Sequence, residues 1–385
     1  MPRLLRGRAR VGRIEARASK VTFAPSTGLL FVTDVKEGVD HYFRSRAISP
    51  AANAEMVLKT FLMLAITASA YALILSNRLT AWPMLGLCIV MGLGFAGIGF
   101  NIAHDALHGA YTSSRRINRI LGFTFELVGA SGYMWKITHN VIHHTYPNVH
   151  GLDEDLEVTP LLRLSPEAKH LPIHRFQHWY AFAAYSATTL FWVFLKDYQY
   201  FIKRDLGPLR DRKHSGSEVM TLIGTKLFYY AYTIVIPLLV VDVPWWQFVI
   251  GFVAVHLTAG LALGIVFQLA HVVEETDHPV AGVDGSMENA WMIHQMETTS
   301  NFANRNRLLT WYVGGLNHQV EHHLFPKICS VHYPALSRIV RLAAEKHGVP
   351  YHHHETFRSA VLSHLRTLKR LGNPPRRLEE SPAQA

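Results

Sequence analysis

Cysteine is almost missing. Two thiols, Cys88 and Cys329, cannot build a disulfide framework, and two distant cysteines cannot ligate an iron–sulfur cluster. No glycine-rich dinucleotide loop and no internal repeat are evident. The first fifty residues lack the apolar stretch of a secretory signal. Charges are lacking at the centres of the long apolar runs. Together these absences exclude a disulfide-stapled secreted domain and leave the chain with no electron-carrying module of its own.

Length alone, 385 residues, would permit two or three soluble domains, but the apolar runs argue otherwise. A bilayer core needs about 20 apolar residues of helix. Segments 57–76 and 83–103 meet this, and 228–241 and 246–270 form a second pair joined by D-V-P-W-W. Segments 119–135 and 179–195 are borderline and polar in places, and read as interfacial or re-entrant rather than full spans. Cys88 reads as a core residue of the second span. The first fifty residues are instead rich in arginine. They fit a basic arm on anionic lipid, a positive-inside topology signal, or an organelle transit peptide; the first two are compatible and preferred. A bacterial inner membrane is favoured over an organelle membrane, and no nucleic-acid partner is expected. The tail from Gly372 reads as disordered. The domain reading is a basic arm over 1–51, a catalytic domain over 52–346 and a polar tail over 347–385.

What is abundant is histidine, 24 in all. Three clusters stand out: His104 and His108 in H-D-A-L-H; His139, His143 and His144 in H-N-V-I-H-H; and His318, His322 and His323 in H-Q-V-E-H-H. Each opens with an i, i+4 pair, which puts two imidazoles on one helix face. Eight imidazoles exceed the roughly six donors that a single first-row metal takes, so two metals are implied. The clusters meet on one membrane face only if an even number of spans separates them, which four spans satisfy and five do not. With the arginine-rich N-terminus inside, that face is cytoplasmic. The run His170, His174, His178 also has helical spacing, but its polar setting reads as a solvated face. His352 to His354 read as surface.

These strings resemble the three histidine boxes of the membrane fatty acid desaturase family, in the branch of front-end and related bacterial acyl desaturases. The flanks G-L-N-H-Q-V-E-H-H-L-F-P and H-Q-M-E-T-T-S-N-F-A carry the likeness further, and it runs from about residue 52 to 346. The resemblance implies an all-α integral membrane protein, four transmembrane helices under a cytosolic helical cap that holds a histidine-ligated di-iron site. It implies O2-dependent desaturation of a fatty acyl chain. It adds Gln319 as the first position of the third box, where His318 competes, and His271, in F-Q-L-A-H-V-V-E-E, as a further ligand. Many front-end members carry a fused cytochrome b5 domain with an H-P-G-G string. None is seen here, so electrons are expected from a separate ferredoxin or cytochrome b5 with its reductase.

The chemistry agrees with the residue types. Hydrogen removal from an unactivated methylene needs a redox metal, which zinc is not. Asp105, Asp153, Asp155 and Glu321 are candidates to orient ring N–H groups, the alternative for each being a solvated acid. Trp135, Phe267 and Trp291 are candidates to line a dry acyl channel, or are plain core. Basic residues near the interface suit a CoA phosphate or a phospholipid head group. The acyl carrier and the position of the new double bond stay open. Two rivals remain: an acyl hydroxylase on the same scaffold, and a membrane metal transporter or sensor. Transporters hold ligands near midspan, whereas these clusters lie past the span ends.

Overall fold

The computed structural model describes residues 9–11, 14–18, 21–24, 27–156 and 159–374. The part of the tail at 375–385 lies outside the described residues. Helix α1, Leu29–Arg46, precedes the first apolar hairpin, made of α2, Ala54–Leu75, and α3, Ala81–His108. The second hairpin is α4, Gly216–Val240, and α5, Trp245–His271. These four are the described helices long and apolar enough to cross a membrane. Asn53 caps α2 by accepting from the Met56 amide, and Ser215 caps α4 by accepting from Glu218. Large apolar side chains on these helices stay exposed, among them Phe61, Ile66, Leu227 and Leu239. A water-facing surface would not tolerate so wide an apolar belt, and a lipid-facing one requires it.

Helix α3 packs closely on both α5 and α2. Gly92, Gly94 and Gly97 have no side chain to hold α3 away from Val255, Thr67 and Met63. These glycines spell a G-x-G-x-x-G string, but inside a helix. It is a packing seam and not the strand-to-helix turn that binds a dinucleotide. At the end remote from the histidines, the two hairpin turns are clasped together. Asn77 donates to the Val240 carbonyl at 2.6 Å and accepts from the Asp242 amide at 2.8 Å.

The two borderline segments do not form single helices. Segment 119–135 breaks into Arg115–Gly122, Thr124–Leu127 and Gly132–Trp135. Segment 179–195 becomes Gln177–Ser186, Thr188–Phe191 and a wide π-helical turn, Trp192–Lys196. The third apolar helix begins twelve residues before the expected start at 228. Its early part carries Lys226, which is buried and paired with Asp197 at 2.8 Å, so the charge is hidden.

The cap is helical with small sheets: β1, Ala9–Val11, β2, Ile14–Ala18, β3, Thr22–Phe23, β4, Leu209–Lys213, β5, Ser286–Met287, β6, Ser300–Phe302, and β7, His352–His354. β2 pairs antiparallel with β1 and β4, while β3–β5 and β6–β7 are parallel pairs. The first fifty residues thus do more than carry charge. Helix α1 buries Phe31, Val35 and Val39 and packs on α6, Tyr333–His347. The last described helix, α7, Phe357–Leu371, returns to the central loop, where Gln177 donates to the Leu368 carbonyl at 2.7 Å.

Two histidine runs sit differently from the solvated faces read in the sequence. His174 is buried, with Nε2 2.9 Å from the Pro160 carbonyl and Nδ1 accepting from the Leu171 amide. His170 reaches the Gly372 carbonyl at 2.8 Å. Carbonyls sequestered between loop and C-terminal helix need donors, and ring N–H groups supply them. His352 to His354 form β7 against β6 and are not plain surface.

Candidate metal centre

Eight imidazoles meet at one end of the bundle. His104, His108, His139 and His322 bring one nitrogen each to within 4.8 Å of one another, and so do His143, His271 and His323. His144 joins His322 and His323 in a third such group, between the first two. Each of the first two groups draws on both halves of the chain.

Wide turns aim these rings. The last stretch of α3, Gly99–Ala103, is π-helical, and the His104 amide bonds back to the Gly99 carbonyl, five residues earlier. Left-handed Gly109, φ 75°, ends the helix directly after His108. Lys136–His143 is also π-helical. In such a turn residues five apart share a face. His139 and His144 therefore confront each other, Nε2 to Nε2, at 3.2 Å. An α-helical reading of the box pairs His139 only with His143.

Most rings are held from behind. Nδ1 of His104 lies 3.2 Å from Asp105, that of His143 3.0 Å from Asp153, and that of His271 3.0 Å from the Thr298 carbonyl. Nδ1 of His323 is 2.9 Å from Gln295 Oε1, and that of His322 is 3.1 Å from the Tyr333 hydroxyl. A carboxylate or carbonyl only accepts, so the proton sits on Nδ1 and the Nε2 lone pair faces inward. Asp105 is itself fixed by the Ser330 amide and hydroxyl, at 2.9 and 2.8 Å, and by the Cys329 thiol. Asp155 is 3.7 Å from His139 Nδ1 and is bridged by Lys196 at 3.3 Å. Glu321 points away from the cage. It accepts from Asn301 and Tyr351, both at 2.9 Å, and links the third box to β6.

Burial favours the neutral form of several rings, the form that metal ligation requires. It pushes His139 down to about 3 despite Asp155. Burial first, then the neighbouring imidazoles, holds His144, His322 and His323 well below the ordinary value. His143 goes the other way. Burial lowers its pKa, but the Asp153 carboxylate outweighs burial and leaves it raised.

The donor set fits metal ions. Nε2 of His108, His271 and His323 is buried with no hydrogen-bond partner, and two lone-pair nitrogens do not otherwise sit face to face. His104 and His322 do so at 3.2 Å. Nitrogens each about 2.1 Å from one ion, at right angles, stand about 3.0 Å apart. His318 lies outside these groups: its Nδ1 is 2.9 Å from Asn304 and 3.8 Å from Glu321. Gln319 is buried at the start of its helix with its amide nitrogen unpartnered.

Beside the cage lies a cavity walled by Trp135, Phe267, Trp192 and Leu263. Trp135 stacks on His139 with centroids 4.3 Å apart. Trp291 is not on this wall; its indole N–H donates to the His144 carbonyl at 3.0 Å. Gln295, Thr298, Tyr333 and Lys196 are the neighbours that the sequence did not single out. Gln295 and Thr298 lie in the H-Q-M-E-T-T string, whose distinctiveness was the available signal.

Residues 80–355 match the fatty acid desaturase family. The chain is 37% identical over 360 residues to an sn-1 linoleoyl-lipid 6-desaturase of Arthrospira platensis, covering 93% of this chain and 96% of that protein. It is 36% identical to the protein of the same name from Synechocystis sp., covering 92% and 98%. An acyl-lipid (8-3)-desaturase of Physcomitrium patens is 33% identical, with 91% of this chain and 73% of the relative covered. Against these likenesses the hydroxylase and transporter readings are not favoured. The chain belongs to the fatty acid desaturase family: it is an integral membrane oxidoreductase that desaturates fatty acyl chains.

Proposed function

We propose that the cage holds two iron ions, one among His104, His108, His139 and His322, the other among His143, His271 and His323, with His144 at their junction. The observation that supports this is the convergence of two nitrogen-rich groups, more donors than one ion accepts. The substrate in this reading is an acyl chain esterified to a membrane lipid, and the new double bond lies at carbon six, as the names of the two cyanobacterial relatives suggest. The site faces the cytoplasm.

Bound there, iron supplies the redox chemistry with O2 that removes two hydrogens from the chain. Overall, two hydrogens from substrate, two protons and two external electrons turn one O2 into two waters. The protein's own contribution is positional. Asp105, Asp153, Gln295 and the Thr298 carbonyl fix the rings so that no ligand has to reorganise. Trp135 and Phe267 exclude water from the reacting methylenes. Asp155 and Lys196 form an ion pair at the rim of the same cavity. Electrons come from a separate ferredoxin or cytochrome b5-type donor with its reductase. The net charge of +10 favours an acidic carrier, an attraction that weakens as salt rises.

The test is metal analysis of purified protein together with product mapping in a host of defined lipid composition. Two irons per chain and a double bond at carbon six are expected. One zinc and no iron would end the di-iron reading. Turnover with substrate, O2 and NADPH alone would end the separate-donor reading.

A further inference from the structure

Three cavities follow one another down a single face of α5. The first borders the cage and is walled by Phe267 and Leu263. The second shares Leu263 and Trp192 with the first and ends at Ala259 and His256. The third, about 440 Å³, begins at Val255 and Phe252 and runs to Trp246 at the remote end of the hairpin. Positions 267, 263, 259, 256 and 252 recur every three or four residues, which is one helix face. Phe95 of α3 borders both the second and the third cavity.

A polar knot stands between the second cavity and the third. Nε2 of His256 is 2.9 Å from the Tyr229 hydroxyl, and its Nδ1 is 3.1 Å from Thr189 Oγ1. Thr189 Oγ1 donates to the His256 carbonyl at 2.7 Å. With a neutral ring every group is satisfied: Tyr229 donates to Nε2, Nδ1–H donates to Thr189, and Thr189 donates onward. All three side chains are buried within the apolar bundle. Polar groups in such surroundings are costly unless fully paired, and a fully paired set is rigid. Nothing in the cage or its supports uses them.

The knot lies at a measurable depth. From Phe267 beside the cage to His256 is eleven residues of α5, or roughly 16 Å at the helical rise. An extended hydrocarbon with carbon–carbon bonds of about 1.5 Å advances about 1.25 Å per methylene. The depth therefore holds about twelve or thirteen carbons. An 18-carbon chain with its methyl end against the knot would present about its sixth carbon to the cage.

We propose that His256, Tyr229 and Thr189 form the floor of the acyl chamber and set the longest methyl-side segment the enzyme accepts, shutting the chain out of the larger cavity beyond. This inference rests on the acyl-lipid reading above and adds what limits chain length. A chain of 20 or 22 carbons desaturated at the same carbon has two or four methylenes too many, and would be excluded by the floor.

Two variants and one direct measurement test this. His256→Ala with Tyr229→Leu opens the floor. Ala259→Leu fills the second cavity. Each is expressed in a host supplied with 16-, 18-, 20- and 22-carbon acyl lipids, and products are mapped by mass spectrometry. The open variant should raise the use of 20- and 22-carbon chains at least tenfold relative to 18-carbon chains, with the bond position unchanged. Ala259→Leu should lose the 18-carbon substrate and retain the 16-carbon one. Variants that carry wild-type metal and show the wild-type chain-length profile would overturn the proposal. Should either fail to fold, the wild-type protein decides. An 18-carbon acyl lipid with a diazirine at its methyl end should label His256, Tyr229 or Ala259 on irradiation; labelling confined to the cap or to Trp246 and Phe248 would refute the floor. Absence of any desaturated product from the wild type would instead count against the acyl-lipid reading, which separates the two failures.

Discussion

A ring gripped at Nδ1 has one way to face, and that decides how the cage responds to single changes. Replacing His104, His108, His139, His143, His144, His322 or His323 with alanine should abolish turnover and lower bound iron. His353→Ala, at the middle of β7 and in none of the metal groups, should leave both near wild type. Near-normal turnover in any of the seven would remove that residue from the ligand set. The groups behind the rings act at one remove. Asp153→Ala leaves His143 in place but frees its Nδ1, so iron affinity or activity should fall by about 10- to 100-fold. Competition with a chelator reads the affinity directly. An unchanged metal affinity with normal activity would show that Asp153 serves only to cap the Asn148 and Asp155 amides, which it also accepts from at 3.0 Å each.

The π-helical segments mark the limit of what sequence spacing could tell. Which histidines gather was legible apart from His318, because boxes at span ends in a chain this rich in histidine stand out from single pairs. Which histidine faces which was not, since an extra residue per turn leaves no mark in composition. His318 had the right spacing from His322, yet it is the N-cap of a helix that starts at Gln319, with non-helical backbone (φ −103°, ψ 60°). The helical-face argument therefore does not reach it. The start of α4 was hidden by Lys226, whose charge is cancelled only in three dimensions by Asp197. This pair also binds the re-entrant segments to the bundle: Lys226 donates to the Gly129 and Val193 carbonyls, and Asp197 accepts from the Ser131 amide and the Trp192 indole. Lys226→Met should cost roughly 3–5 kcal/mol by stranding a buried carboxylate. Adding Asp197→Asn should restore most of it. Thermal unfolding of the two variants beside the wild type in detergent measures the difference, and midpoints equal to that of the wild type would show the pair to be dispensable. Helix Arg115–Gly122 shows the opposite case. Arg115, Arg116 and Arg119 alternate with exposed Ile117 and Ile120, a pattern that suits a helix lying in the membrane surface.

At the scale of the whole molecule, the two clasped hairpins put every cage histidine at one end and the Asn77 turn at the other. The even number of spans was deducible before any fold was known, because an odd number would have separated the boxes across the bilayer. Labelling can check the orientation. Val283→Cys, on the cap, should react with a membrane-impermeant thiol reagent only from the cytoplasmic side, and Arg78→Cys only from the opposite side. Reversed accessibility would invert the assignment while leaving the four-span fold standing. The sharing of each metal group between hairpins has one more consequence, and it concerns the order of synthesis. The first hairpin, with His104 and His108 at its end, and the His139, His143 and His144 that follow it are made early, but neither metal group is complete until His271, His322 and His323 have left the ribosome. Domains generally fold in the order in which they emerge, yet here the earliest ligands must wait for nearly the last part of the chain. A complete set of ligands for either proposed ion therefore exists only late in synthesis or after it. A chain that has both hairpins but stops before residue 322 would be membrane-inserted with both of its metal groups incomplete.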